Sequence, residues 1–270
     1  MTESPLDFTE KLIRAAGTML RGYYQNADLL TSIKADKSVV TEADEIVDRF
    51  IGEQIHLYYP NEWILSEEVN PILSELDSQS QTSAGWIVDP IDGTTNFSLG
   101  LPVWGILCTR VVKGWPQLTA MYFPIIDELY TAVAGGGAWL NGQQIQVESA
   151  WLLNRKSFFA CCTRTHRLYE VSIPYKVRIL GSSAYTFCLV ARGVARIGFD
   201  ATPKIWDIAG AWLLVKEAGG IIESFSGESP FPLVPDTGFS SKSYPTLAAT
   251  TTDQLAKARD QIQIKPNTAA

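Results

Sequence analysis

Two carboxylates three residues apart, Asp89 and Asp92, lie within Trp86-Ile87-Val88-Asp89-Pro90-Ile91-Asp92-Gly93-Thr94-Thr95-Asn96-Phe97. Together they make a hard-oxygen site, suited to Mg²⁺ or Mn²⁺ rather than to Zn²⁺, which favours Cys and His. Gly93 permits a turn that other residues resist, and it leaves room for a ligand beside the main chain. Thr94 and Thr95 offer hydroxyl and N–H groups where a helical turn can begin, and such starts attract phosphate. Carboxylates repel a phosphate placed beside them: one unit-charge pair at ~4 Å costs about 4 kcal/mol at an effective dielectric of about 20. Cations between them reverse the sign. The predicted chemistry is metal-assisted attack on a phosphate ester. Taken alone, the stretch is explained equally well by a surface Asp-Gly turn beside a helix cap.

These residues need elements to position them. Trp86 to Val88 is a short apolar run of the kind that makes a buried strand. Pro90 lacks an N–H and is expected to end the sheet ladder, holding Asp89 extended. Thr41-Glu42-Ala43-Asp44 opens a helix with Thr41 as N-cap and Ile46, Val47, Phe50, Ile51 and Ile55 as its buried face. Alone, Asp44 is an ordinary first-turn carboxylate. Ser66-Glu67-Glu68 follows a short strand over 62–65, and strand ends in α/β proteins face ligand crevices. A solvated acidic pair explains Glu67 and Glu68 as well. Asp207 lies at the N-cap or first turn of a helix running from Trp206 to about Ala218, closed by Gly219-Gly220. Capping alone accounts for it. Lys34, in a polar loop over 31–40, can reach a site from there, although a solvated lysine is the default.

The other elements follow from periodicity. Residues 6–24 form an amphipathic helix whose stripe, Leu12, Ile13, Ala16, Met19, Leu20 and Tyr23, reads as core packing rather than a dimer face. Strands are predicted over 103–113 and 117–122, turned at Lys113-Gly114-Trp115-Pro116, and over 129–134. Gly135-Gly136-Gly137 reads as a turn, because no Gly-Lys-Ser/Thr follows. Asn141-Gly142 is a hairpin signal. Residues 69–84 are Ser-, Gln- and Thr-rich and read as an exposed loop. From about residue 150 strands and helices alternate, with strands over 158–162, 177–180, 195–199, 220–223 and 247–250. A helix runs from Ser182-Ser183 through Arg192, and another covers 254–262 before a polar tail. The polar segment 163–175 reads as a lid or specificity loop. The chain divides into an α+β half, 1–150, and an α/β half, 151–270.

Composition bounds the function. The 270 residues are 46% hydrophobic and 19% charged, which excludes a disordered chain. A net charge of −7 argues against a nucleic-acid partner, which needs a basic face. Four cysteines without a C-x-x-C pair, and only two histidines, argue against zinc and for buried reduced thiols in a cytoplasmic protein. The first residues lack the pattern of a signal peptide, and no apolar run is long enough to cross a bilayer, so no membrane association is expected.

Taken together, these motifs resemble the inositol monophosphatase family, among the metal-dependent, lithium-sensitive sugar phosphatases. The match spans nearly the whole chain. It rests on the Trp86–Phe97 stretch, on Trp206-Asp207-Ile208-Ala209-Gly210-Ala211 continuing to Glu217-Ala218-Gly219-Gly220, on Thr41-Glu42-Ala43-Asp44, on Glu67-Glu68 and on Gly137-Ala138-Trp139-Leu140-Asn141-Gly142. The resemblance implies a layered αβαβα sandwich, α/β in class (α+β), with Mg²⁺ as cofactor and a homodimer as the assembly. Glu67, Asp89, Asp92 and Asp207 would be metal carboxylates, joined by the Ile91 carbonyl. Gly93, Thr94 and Thr95 would receive the phosphate. Thr94 and Asp44 would orient and deprotonate the attacking water, with Glu67 beside them. Lys34 matches a flexible-loop lysine, and Ser183 a backbone contact to substrate. Asp200 stands where animal inositol phosphatases carry Glu, and Ser66 where the family more often has Gly. The implied substrate is inositol monophosphate; histidinol phosphate, fructose 1,6-bisphosphate, a 3′-phosphonucleotide and a non-catalytic regulatory role remain open.

Overall fold

The computed structural model describes residues 3–24, 31–33, 39–68, 84–147, 157–233 and 242–266. Its central strand, β4 (Ala84–Asp92), is buried along nearly its whole length. Successive side chains of a strand point to opposite faces. Trp86 and Val88 therefore join one apolar cluster and Ile87 another. A strand covered on both faces reads as an unbroken apolar run, which is how Trp86-Ile87-Val88 reads.

Seven strands form the first sheet, in the order β3-β4-β5-β6-β7-β8-β9. They are β3 (Trp63–Ser66), β4, β5 (Gly105–Val112), β6 (Trp115–Phe123), β7 (Glu128–Val133), β8 (Gly137–Leu140) and β9 (Gln143–Ile145). Only β3 and β4 run parallel; the other neighbours are antiparallel. Helices α1 (Pro5–Tyr23) and α2 (Glu42–Tyr58) cover one face. Leu12, Ile13, Ala16 and Leu20 of α1 are buried there with Val47, Ile51 and Ile55 of α2, so the α1 stripe is core. Burying one such aliphatic side chain stabilises the fold by roughly 1.5–3 kcal/mol.

Helices α5 (Ser183–Ala191) and α6 (Ile205–Glu217) cover the opposite face and pack beneath a second sheet. That sheet has the order β12-β10-β13-β15-β14, from β10 (Phe158–Cys161), β12 (Lys176–Arg178), β13 (Ala195–Asp200), β14 (Ile221–Ser224) and β15 (Thr246–Ala249). Its outer face carries α7 (Thr252–Gln261) and α4 (Thr163–Leu168). The layers run αβαβα, as expected. Apolar on nearly every side, α5 and α6 are sandwiched between the two sheets. Gly210 lets α6 sit close: a Cβ there would lie 2.5 Å from Thr119 Oγ1 and 3.0 Å from Thr109 Oγ1. At the other end of α6, both Glu217 carboxylate oxygens accept N–H bonds from the glycine turn, Gly135 and Gly137, at 2.9 Å each.

Several expectations need correction. The β4 ladder does not end at Pro90. It passes through a bulge and resumes where Asp92 pairs with Gly105; a bulge leaves residues unpaired, so the missing N–H costs nothing there. The 31–40 stretch is not simply a loop, because β1 (Thr31–Ile33) and β2 (Val39–Thr41) pair as an antiparallel ribbon. That pairing is local and leaves no apolar alternation to read. Thr41 thus ends a strand where a cap was expected. The 163–175 segment is helix α4 followed by β11 (Tyr169–Val171). This strand pairs with β16 (Ile262–Ile264), formed by the last residue of the expected 254–262 helix and the first two of the expected tail. The turn after β5 is tighter than predicted, just Lys113 and Gly114 at positive φ, and Asn141-Gly142 turns the β8–β9 hairpin as expected. Residues 69–83 of the expected exposed loop lie outside the described residues.

Candidate active site

Residues i and i+3 of a regular strand point to opposite faces. The β4 bulge between Asp89 and Asp92 removes that alternation and turns both carboxylates into one cavity of about 300 Å³. Asp89 Oδ1 accepts the Ile91 N–H at 3.0 Å, while Asp89 Oδ2 is buried with no hydrogen-bond partner in the protein. Asp92 is held at the start of α5. It accepts the Ser182 hydroxyl, the Ser183 N–H at 3.0 Å and the Ala184 N–H at 3.0 Å. Asp207 comes from the first turn of α6, where its Oδ2 accepts the Lys204 N–H at 2.7 Å. One oxygen from each of Asp89, Asp92 and Asp207 lies within 4.8 Å of the others.

Three crowded carboxylates resist ionisation together. Burial is the main cause for each. It pushes Asp92 up to about 6 even against the three donors on α5. Asp89 is pushed well above the usual carboxylate range, with Glu67, Asp207 and Asp92 adding to burial. Asp207 rises similarly, with Asp92 and Glu67 adding and the Lys204 N–H opposing. Glu67 lines the same cavity from the end of β3, its N–H bonded to the Val88 carbonyl at 3.3 Å. Ser66 pins that bend: its hydroxyl donates to Asp48 of α2 and lies 3.3 Å from the Val88 carbonyl. The buried orphan oxygen of Asp89, the convergent triad and an all-oxygen donor set fit a hard divalent cation.

Next to the carboxylates the backbone turns at Gly93, where φ is +91° and a Cβ would stand 3.1 Å from the Gly181 carbonyl oxygen and 3.2 Å from that of Val103. Thr94 then opens a five-residue helix, α3 (Thr94–Ser98). The first N–H groups of a helix lack intrahelical acceptors, and Gly93, Thr94 and Thr95 all line the cavity. Thr94 Oγ1 lies 2.9 Å from the Ile91 carbonyl oxygen and 3.4 Å from Asp44 Oδ1. Asp44 is fully buried behind it. Ser183 and Asp200 line the same cavity. Burial raises Asp200, opposed first by the Thr202 N–H. The structure therefore brings Asp44, Glu67, Asp89, Ile91, Asp92, Gly93, Thr94, Thr95, Ser183, Asp200 and Asp207 to one place. Lys34 lies outside the described residues.

Other contributors went unnoticed in the sequence. Asn96 staples the turn by donating from Nδ2 to the Val103 and Leu180 carbonyls at 2.6 and 2.7 Å. Ser182 was visible only as a helix start, yet it both caps α5 and holds Asp92. Arg164 reaches the cavity from the segment read as a lid, and Cys162 from the end of the expected 158–162 strand. The four cysteines are free, with Cys108, Cys161 and Cys188 buried; burial pushes the Cys161 thiol up to about 12. No helix among the described residues is long and apolar enough to cross a membrane.

A sandwich that converges carboxylates beside a strand-to-helix amide turn defines a class, the phosphate-ester hydrolases that work through divalent cations. The chain belongs to the inositol monophosphatase family, whose model matches residues 2–263. It is 34% identical to the Nus factor SuhB of Pasteurella multocida, over 82% of this chain and 85% of that one. It is also 34% identical to a fructose-1,6-bisphosphatase/inositol-1-monophosphatase of Thermotoga maritima, over 83% and 86% respectively. The solved structure of a Thermotoga maritima IMPase superposes with a TM-score of 0.76 at 28% identity, covering 94% of this chain and 96% of that one.

Proposed function

We propose that the protein is a Mg²⁺-dependent phosphomonoesterase that hydrolyses inositol monophosphate to inositol and phosphate. The observation carrying this reading is the buried Asp89–Asp92–Asp207 cluster, with its unpartnered Asp89 oxygen, set against the Gly93–Thr94 turn. Glu67, Asp89, Asp92, Asp207 and the Ile91 carbonyl would hold Mg²⁺, or Mn²⁺ in its place. Bound there, the cation would activate water for attack and neutralise charge on the phosphoryl oxygens.

The chain's own groups do the rest. The N–H groups of Gly93, Thr94 and Thr95 receive the phosphate oxygens, and their value rises as negative charge develops. Thr94 Oγ1 takes a proton from the attacking water as it passes its own to Asp44, which burial keeps out of competition with solvent. Asp200 and Ser183, which line the same cavity, accept and orient the hydroxyls of the polyol. Asp200 is one methylene shorter than Glu, which leaves a wider space at that wall.

Two further proposals accompany this reading. Free buried thiols suit a cytoplasmic location. Exposed Leu99, Leu101 and Ile179 flank the segments stapled by Asn96, an apolar surface that a second copy would cover in a homodimer. Light scattering on the purified protein tests the dimer. Phosphate release from a panel of esters, with and without Mg²⁺, tests the function; a protein inert on every ester in the presence of Mg²⁺ would refute it.

A further inference from the structure

Helix α2 turns two carboxylates inward. Asp44 and Asp48 stand four residues apart, about one helical turn, and both are buried, at 0% and 4% exposure. Ala43, Val47 and Ile51 of the same helix are buried in an apolar cluster. A carboxylate in such surroundings costs free energy unless it is hydrogen-bonded, and apolar side chains of similar volume often hold two elements together at least as well. Asp44 is accounted for by Thr94. Asp48 has no place in the mechanism, yet it accepts the hydroxyl of Ser66, the last residue of β3.

Ser66 stands at a sensitive point. Strands β3 and β4 run parallel with Ser66 opposite Val88, so Glu67 and Asp89 follow at the same level. Neighbouring strands lie about 4.8 Å apart. The two carboxylates crowd each other there, and after burial Glu67 contributes most to raising Asp89. That repulsion opposes the place of Glu67 in the cavity until a cation lies between the two. The backbone resists it one residue away. Ser66 Oγ lies 3.3 Å from the Val88 carbonyl oxygen, and the Glu67 N–H bonds the same carbonyl at 3.3 Å. Asp48 then holds the Ser66 hydroxyl from the helix. One rigid element thus aligns Thr94 through Asp44 and Glu67 through Ser66.

We propose that Asp48 and Ser66 are positioning residues for the metal site: their hydrogen bond fixes the end of β3 so that Glu67 is in place before the cation arrives. The inference rests on the metal-dependent phosphatase reading above. It adds two residues that do not line the carboxylate cavity.

Ser66→Ala deletes the donor and Asp48→Ala the acceptor. Either should weaken Mn²⁺ binding, measured by calorimetric titration, and raise the Mg²⁺ concentration for half-maximal phosphate release, both by about 10- to 100-fold. KM for the ester at saturating Mg²⁺ should not change. Asp48→Asn keeps a carbonyl oxygen for the Ser66 hydroxyl and should recover most of the affinity. The decisive arm uses Glu67→Gln. Adding Ser66→Ala to it should cost no further Mn²⁺ affinity, because the pair acts through Glu67. Losses that add overturn the inference. So does a Ser66→Ala chain that melts earlier but binds Mn²⁺ as tightly as the native one, since the pair then only holds α2 to the sheet. Should Asp48→Ala fail to fold, Ser66→Ala, alone and with Glu67→Gln, decides. If Mn²⁺ binds but no ester is hydrolysed, the phosphatase reading fails and the titrations still decide the positioning. If esters are hydrolysed and Ser66→Ala matches the native chain in both measurements, this inference fails alone.

Discussion

The two walls of the cavity are built differently. On one side, the Asp89 and Asp92 carboxylates come from a strand bulge and Asp207 from the start of α6, and the first two are almost wholly buried. Asp92 alone accepts three hydrogen bonds from the first turn of α5, about ninety positions further along the chain. On the other side, Arg164 is exposed on a six-residue helix and donates to the Thr202 hydroxyl. The first wall is held by packing between layers; the second is carried by a short surface element. Groups that perform chemistry must keep a fixed geometry, whereas groups that select a substrate can vary without disturbing the core.

Substitutions can break this contrast. The largest effect is expected from Asp92→Asn, which keeps the shape and removes the charge. Phosphate release should fall by about 10³-fold or more, as when a charge-stabilising group is lost, with an unchanged circular dichroism spectrum. Ser182→Ala leaves the carboxylate but removes the hydroxyl that holds it. The Mg²⁺ concentration for half-maximal activity should rise about 10- to 100-fold, the range for losing a partner of a metal ligand. Gly93→Ala places a Cβ against two carbonyl oxygens at a positive φ; a stability loss of about 1–3 kcal/mol, read by urea unfolding, is expected.

A smaller effect concerns pH. Asp92 in the folded chain titrates at about 6, against 3.8 when unperturbed, and Asp89 and Asp207 are raised too. A folded-state value above the unfolded one gives stability that is present below the unfolded value and lost as pH rises through the folded value. In EDTA, the melting temperature should therefore drop by about 5 °C between pH 5 and pH 7.5. Mg²⁺ should close most of that gap, because it stabilises the ionised carboxylates. A metal-free protein whose melting temperature rises over that interval would contradict the crowding described for this wall.

The same division explains what could be read from the chain. Asp89, Asp92 and Gly93 announced themselves because their chemistry is local: a carboxylate pair, a turn and a helix start within six residues. Asp207 and Ser182 were visible as helix starts, since capping leaves a local signal. The bulge was not visible, because Pro90 is read as an end when its neighbours are unknown. Asn96 and Ser182 gave no sign of their cross-chain roles, which join segments some ninety positions apart. The β1–β2 ribbon and the β11–β16 pair were missed because short strands paired away from the main sheets carry little apolar alternation.

Glu217 grips the glycine turn between β7 and β8, about 15 Å along α6 from Asp207. A helix clamped at its tail behaves as a strut, so the aim of Asp207 is inherited from a surface turn that never meets a substrate. That turn works as the adjusting screw of the carboxylate cluster.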